Sequence, residues 1–384
     1  MTKSHPTVAD LITLMDEWAP AWTAESWDRV GLVTGDPAAT VTRVWVALEL
    51  TPELLEAALA EGVDMLLLHH PLLFKPLTDL CSHRPATARL VQAATRGLAI
   101  FAAHTNLDAA PGGVSDALAQ RLGLGQTRPL SPLAPGSLVK LVTFVPPSHY
   151  EEVSAALFAA GAGRISFYRD CAFVASGTGT FLAPPEANPY LGRAGQRERV
   201  SELRLETLVP RAQASQALAA LRLAHPYEEP AVDLYPLSQT PTGFGLGRVG
   251  SLASPRPVGE FAAWAADELG ANASLLAGVC SENLRRVAVV GGSGGDLLGA
   301  AARAGAQMLV TGEARYHAAQ EAADLGLALL TLGHFQTEVV VLQPWARRLA
   351  VELGRLDLDC QVEAYQASQD PWRHPSGGSG PHHD

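Results

Sequence analysis

The chain has 384 residues, 47% hydrophobic and 17% charged, with a formal net charge of -11. That length allows one large or two to three ordinary domains, and the apolar fraction is ample for a substantial core. The acidic balance argues against a nucleic-acid surface driven by bulk charge, and no signal peptide or long apolar membrane span is visible.

Strand-like and helix-like stretches alternate through residues 42–123. Residues 44–50 read as a strand and 52–61 as a helix with Thr51 as its N-cap. Residues 64–68 read as a strand, 84–96 as a helix, 98–103 as a strand and 114–122 as a helix. This is the pattern of a parallel sheet with crossover helices. Two of the strands stop abruptly at polar side chains. One ends at His69-His70-Pro71 and the other at His104-Thr105-Asn106-Leu107-Asp108. Open α/β sheets place their sites at such strand ends.

Residues 129–136 and 236–243 are proline-rich and look like linkers. Between them the order reads strand 140–145, helix 150–159, strands 165–169, 171–181 and 200–208, helix 211–221 and strand 231–235. That is close to a βαββαβ ferredoxin-like unit, so 137–237 reads as an inserted α+β domain.

The first pattern then returns. Residues 43–70 slide by 243 positions onto 286–313 without gaps, with ten of 28 positions identical, Val44/Val287 and Met65/Met308 among them. The shared register favours an ancient duplication over chance. The expected fold is therefore α/β: duplicated halves (1–128 and 244–372) with helix-flanked sheets sharing one metal cleft, plus the insert. Residues 373–384 read as a disordered tail. In this register His69-His70 fall opposite Gly312-Glu313, and 104–108 fall roughly opposite 333–338. Ligands far apart in sequence would then meet at one cleft.

The candidate ligands are histidines and carboxylates with little sulfur, the set of a hydrolytic metal centre. His69 and His70 would point to opposite sides of a continuing strand, but Pro71 makes continuation unfavourable. With a turn there, both reach one site or two neighbouring metals. The plain alternative is a pair of satisfied buried histidines. His334 and Glu338 share a helix face if Phe335 begins a helix, and the apolar flanks Leu329, Leu330 and 339–341 leave that carboxylate in need of a cation. Asp108 is a ligand candidate with turn capping as its alternative. His104 is a ligand or, as favoured here, a donor that orients a carboxylate. The turn 291–296 either cradles a phosphate or is a tight strand-to-helix connection. Thr311-Gly312-Glu313 and His317 are expected to line the cleft. Cys81, Cys171, Cys280 and Cys360 form no CxxC pair and read as reduced thiols of a cytoplasmic protein.

These motifs resemble the GTP cyclohydrolase 1 type 2 homologue family, also called the NIF-three-like family. The matching stretches are Trp27-Asp28-Arg29-Val30-Gly31-Leu32, His69-His70-Pro71-Leu72-Leu73-Phe74, 104–108, Thr311-Gly312-Glu313 with His317, and Gly333-His334 with Glu338. The stretch Ala224-His225-Pro226-Tyr227-Glu228-Glu229-Pro230-Ala231 resembles the PII- or CutA-like domain inserted in longer members. The resemblance implies a dinuclear site with His69, His70, Asp108, His334 and Glu338 as ligands, and a ring-shaped homohexamer. One departure is Glu49, where the family commonly has Asp, so no role is carried onto it.

The leading expectation is a two-metal hydrolase of a nucleotide or other phosphorylated small molecule. Two divalent ions (zinc, iron, manganese or cobalt) would be held with Asp108 and Glu338 bridging and His69, His70 and His334 terminal. Glu313, His317 and His104 are the candidate catalytic groups, Glu313 or His317 relaying protons. The rival is a metal-binding scaffold or regulator whose insert senses a ligand.

Overall fold

The computed structural model describes residues 4–77, 79–81, 83–165, 168–239, 243–271, 273–278 and 283–372. The expected 373–384 tail and Cys280 lie outside the described residues. The chain divides into two compact units, one from Met1–Pro132 with Gly243–Asp384 and one from Leu133–Thr242. No helix among the described residues is long and apolar enough to cross a membrane.

The first unit is a mixed α/β fold with two helix-flanked sheets. In its five-stranded sheet the spatial order is Gly31–Thr34, Ala99–Ala102, Met65–Leu68, Arg43–Ala47 and Gln361–Ala364. The three central strands are parallel and almost wholly buried, which is why they read as unbroken apolar runs. Thr51 caps the helix Pro52–Ala60, its Oγ1 accepting the Leu54 N–H at 3.1 Å. The six-stranded sheet runs Leu275–Gly278, Ala328–Thr331, Met308–Glu313, Leu284–Ser293, Gly245–Arg256 and Leu124–Pro132.

The two sheets share more than their outline. Val44 faces Met65 across one parallel pair, and Val287 faces Met308 across the other. Asp64 Oδ2 accepts the N–H groups of Thr42 and Arg43, and Gln307 Oε1 accepts those of Arg285 and Arg286. Arg43 Nη1 donates to Glu61 O, and Arg286 Nη1 donates to Ala304 O. Every pair is offset by the same 243 positions seen in the sequence.

Helices Val8–Trp18 and Leu342–Arg355 close the five-stranded sheet. Trp345, Leu349 and Leu353 recur at helical spacing on the second, and Trp345 meets Trp18 edge-on at 6.3 Å. Arg248, 2% exposed, ties the halves of the unit together. It donates to the carbonyls of Gly245, Gly247 and Ala110 and pairs with Asp116 at 2.8 Å.

The second unit carries one antiparallel sheet in the order Ala172–Leu182, Arg197–Pro210, Leu138–Val145 and Val232–Pro236. Helices Tyr150–Ala159 and Ala214–Ala224 pack on it through Leu157, Val153, Ala217 and Leu221.

Three expectations change. Residues 129–132 are not linker but the end of the edge strand Leu124–Pro132, paired with Gly245–Arg256. An edge position accepts proline because the missing N–H faces outward. The strand expected at 165–169 is only an isolated bridge between Ile165 and Tyr168, with 166–167 outside the described residues. The turn 291–296 is not a clean strand-to-helix loop. The strand continues through Ser293 and passes through a 3-10 turn into a six-residue helix, Leu298–Arg303.

Candidate metal centre

Each sheet sends its strand ends into one cleft of about 750 Å3. From the first sheet, Met65–Leu68 delivers His69 and His70, whose backbone N–H groups still donate to Ala47 and Leu48. The next strand, Ala99–Ala102, delivers His104 and the five-residue helix Thr105–Ala109 that carries Asp108. From the second sheet, Ala328–Thr331 leads through Gly333 (φ +94°) into another five-residue helix, His334–Glu338. One helical turn puts His334 Nε2 3.1 Å from Glu338 Oε1. Thr337 Oγ1 accepts the Gly292 N–H at 3.1 Å and donates to Gly333 O, which pins this helix to the strand beneath it.

Glu338 is the centre of the cluster and 3% exposed. Its Oε1 lies 3.6 Å from His69 Nε2, and its Oε2 lies 2.9 Å from His70 Nε2. His69 Nε2 is 3.8 Å from Asp108 Oδ1. The rings of His69, His70 and His104 stand 5.1–5.7 Å apart, and that of His334 is 5.5 Å from His70.

All four imidazoles are anchored from behind through Nδ1. His69 donates to Ala103 O at 3.0 Å, His70 to Glu49 at 3.1 Å, His104 to Asp28 at 3.0 Å and His334 to Glu313 at 3.1 Å. Such bonds fix the tautomer and leave Nε2 as a lone-pair donor, the usual arrangement behind metal-bound histidine. Asp28 is itself held by the N–H and hydroxyl of Thr105.

Three buried polar atoms in this cluster make no hydrogen bond of acceptable geometry: His69 Nε2, Asp108 Oδ1 and Glu338 Oε2. Burial of such atoms without a well-formed partner is costly, and a bound cation would offset that cost. The acid–base balance points the same way. For His69, burial disfavours the cation, but Glu338 and Asp108 outweigh it and raise the pKa. Against burial, the Glu338 and Glu49 carboxylates raise His70 to about 10. The hydrogen bond that His334 donates to the Glu338 carboxylate raises its pKa to about 9, against burial. Burial raises Asp108, with the nearby Glu338 charge adding to it. Burial would raise Glu338 too, yet the surrounding imidazoles hold it well below the usual carboxylate range. His69, His70 and His104, and His70, His334 and Glu338, are two groups whose ligand atoms lie close enough to hold metal ions.

The structure thus brings together His69, His70, Asp108, His334 and Glu338. One further expectation is met in part and two differ. His104 does bond a carboxylate, that of Asp28, through Nδ1, and its ring also stands with His69 and His70 in a group close enough to hold a metal ion. Glu313, expected to line the cleft, is exposed and hydrogen-bonded to His334 Nδ1, so the contact it makes is with the back of that imidazole. His317 does not line the cleft. It is exposed, on the first turn of Tyr316–Asp324, with its Nδ1 3.1 Å from Gln320 Oε1. The glycines at 291–292 serve close packing: a Cβ on Gly292 would strike Glu338 Oε1, and one on Gly291 would strike Val114. Asp28 and Glu49 went unassigned in the sequence. The only signal for them was their own strand-end and motif context.

A family model described as Duf34/NIF3 (NGG1p interacting factor 3) matches residues 6–371. A relative from Halalkalibacterium halodurans, described as a GTP cyclohydrolase 1 type 2 homolog, is 37% identical over 363 residues, 94% of this chain and 97% of its own. One of the same description from Mycobacterium tuberculosis is 39% identical over 371 residues, 95% and 96% of the two chains. The solved structure of a Bacillus cereus protein related to NIF3 matches with a TM-score of 0.69 at 36% identity, covering 97% of this chain and 100% of that one.

Proposed function

The chain belongs to the Duf34/NIF3 family, and on that premise we propose that it is a metal-dependent hydrolase of a nucleotide or another phosphorylated small molecule. One observation carries the reading: the Nε2 atoms of His69, His70 and His334 and the carboxylates of Glu338 and Asp108 converge on one buried point, with the Nδ1 of every imidazole anchored from behind. His69, His70, Asp108, His334 and Glu338, with His104 as a further donor, would hold two divalent ions. A nitrogen-and-oxygen donor set suits zinc, iron, manganese or cobalt. Glu338 turns one oxygen to His334 and the other to His70, so its two oxygens would serve both groups of imidazoles, and Asp108 would add a further oxygen beside His69. Such ions, when bound, lower the pKa of a water and polarise a substrate oxygen.

The chain's own groups bind and orient the substrate. Trp27 and Phe74 line the cleft, each more than half exposed and each edge-on to the His104 ring at 6.0 Å. They offer stacking faces to a nucleobase. Arg89 lines the same cleft, and its guanidinium is the cation there that a phosphate would meet. The test is turnover of a nucleotide panel by protein loaded in turn with each of the four metals. Activity that is lost in His70→Ala, with an unchanged circular dichroism spectrum, supports the reading. A blank panel with every metal overturns it and favours a scaffold.

Three architectural readings accompany it. The unit Leu133–Thr242 is a ferredoxin-like, PII/CutA-like insert, supported by its strand–helix order. The two sheets of the other unit descend from a duplication, supported by their common offset. The assembly is a ring-shaped homohexamer in the cytoplasm, read from the family resemblance and tested by sedimentation and fractionation.

A further inference from the structure

The Leu133–Thr242 unit holds a cavity of its own, of about 800 Å3. Strand Ala172–Leu182 lies along it, beside Glu202 of the neighbouring strand, and Tyr190 and Tyr227 stand over them. Glu202 is 9% exposed. One of its oxygens accepts the Tyr227 hydroxyl at 2.9 Å, and no lysine or arginine of the described residues pairs with it. Its other oxygen packs over Gly179, where any Cβ would collide with it. The absence of that side chain is what lets the carboxylate lie there.

The arrangement is held from behind. His225, 6% exposed, donates from Nε2 to Phe144 O and accepts the Tyr227 N–H on Nδ1. Both ring nitrogens are therefore committed with the imidazole neutral, and the imidazole fixes the turn that presents Tyr227 to Glu202. Phe144, Phe181, Tyr190 and Tyr227 supply aromatic surface to the cavity. One of these faces already takes a cation: the Arg204 guanidinium sits 5.9 Å from the Phe144 centroid, while its Nε pairs with Glu206 at 2.8 Å.

We propose that this cavity binds a small organic cation, an ammonium group on an apolar or aromatic body, with Glu202 as its counter-ion. A buried carboxylate without a cationic partner is costly, and an ammonium removes the cost. The aromatic walls add cation–π attraction. An anion is disfavoured, because Glu202, Glu228 and Glu229 all line the cavity and Arg204 is already engaged. A bare divalent metal is disfavoured too, since among the described residues the ligand atoms of these carboxylates do not come close enough together to hold one.

The test uses the full chain and three probes of one shape: phenethylammonium, 2-phenylethanol and phenylacetate, titrated by ligand-observed NMR. Phenethylammonium is expected to bind about tenfold or more tightly than phenylacetate. That comparison needs no variant. Glu202→Gln is expected to weaken the ammonium about tenfold while leaving the alcohol and the metal content unchanged. Equal affinity for amine and acid, no binding of the amine at its highest soluble concentration, or an unaltered affinity in Glu202→Gln overturns the proposal. A change of oligomeric state in that variant would instead mark the cavity as a chain–chain contact and also overturn it.

Discussion

Glu338 is a nearly buried carboxylate with imidazoles against both oxygens, and its behaviour tests the site most directly. Glu338→Gln keeps the size and removes the charge. Its metal affinity should fall roughly tenfold or more, since even outer partners of metal ligands matter that much. Glu321→Gln, on the exposed face of Tyr316–Asp324, should leave affinity unchanged. Calorimetric titration of both variants decides; equal affinities would remove Glu338 from the site. A second prediction concerns protons. With no metal bound, His70 and His334 titrate near 10 and 9, so both are charged at pH 7. A metal needs them neutral, and the His69 and Asp108 values are raised as well, so binding at pH 7 should release at least two protons. Affinity should rise with pH and level off above about pH 10. The same raised values act on the metal-free fold in the opposite sense. Their stabilisation is complete below the unfolded imidazole value of about 6.5 and is lost as pH rises through 9 and 10. Calorimetry in buffers of different ionisation enthalpy counts the protons, and zero release would contradict the assignment. Glu49 also belongs at this scale. Its extra methylene, compared with aspartate, still reaches His70 at 3.1 Å.

Two five-residue helices, Thr105–Ala109 and His334–Glu338, do the positioning at the level of elements. Each follows the parallel strand neighbouring the Met65–Leu68 or Met308–Glu313 strand of its own sheet. Each is too short to be stable alone and relies on tertiary contacts. Gly292 supplies one such contact, at φ +63° and with Glu338 where a Cβ would be. Gly292→Ala should therefore lose about 1 kcal/mol of stability and, separately, metal affinity of about tenfold. Gly326→Ala is the control: its φ is +68°, but its Cβ would meet nothing within 4 Å. It should share the stability loss and keep the metal. If both variants bind metal like the parent, the close packing of Gly292 on Glu338 is unimportant. The long buried strands and the Thr51-capped helix were readable from sequence because local pattern decides them. The edge strands Leu124–Pro132 and Gln361–Ala364 were not, because their residues are mixed and their pairing partners are remote.

For the whole molecule, the unit boundaries suggest a direct experiment. Joining Pro132 to Gly243 through a short linker keeps the edge strand that a cut at residue 128 would halve. The shortened chain should fold and carry about two ions, as the full chain should when purified without chelator. Elemental analysis and gel filtration give the answer. Aggregation would mean that Leu133–Thr242 is not separable, and an absence of metal even after reconstitution would remove the centre.

The sequence by itself determined the parallel strands, the 243-residue repeat and the strand ends that carry His69, His70, Asp108, His334 and Glu338. It could do so because apolar runs and their abrupt polar stops are local, and because an ungapped offset is visible without coordinates. Tertiary structure alone decided that His104 faces the cleft, that Glu313 serves His334, and that His317 points elsewhere. It also revealed Asp28 and Glu49. Those outcomes depend on which side chain takes the Nδ1 of each imidazole, across separations of 76 residues for Asp28–His104 and 21 for Glu49–His70. No periodicity encodes such pairings; only the packing of the strands that bear them does.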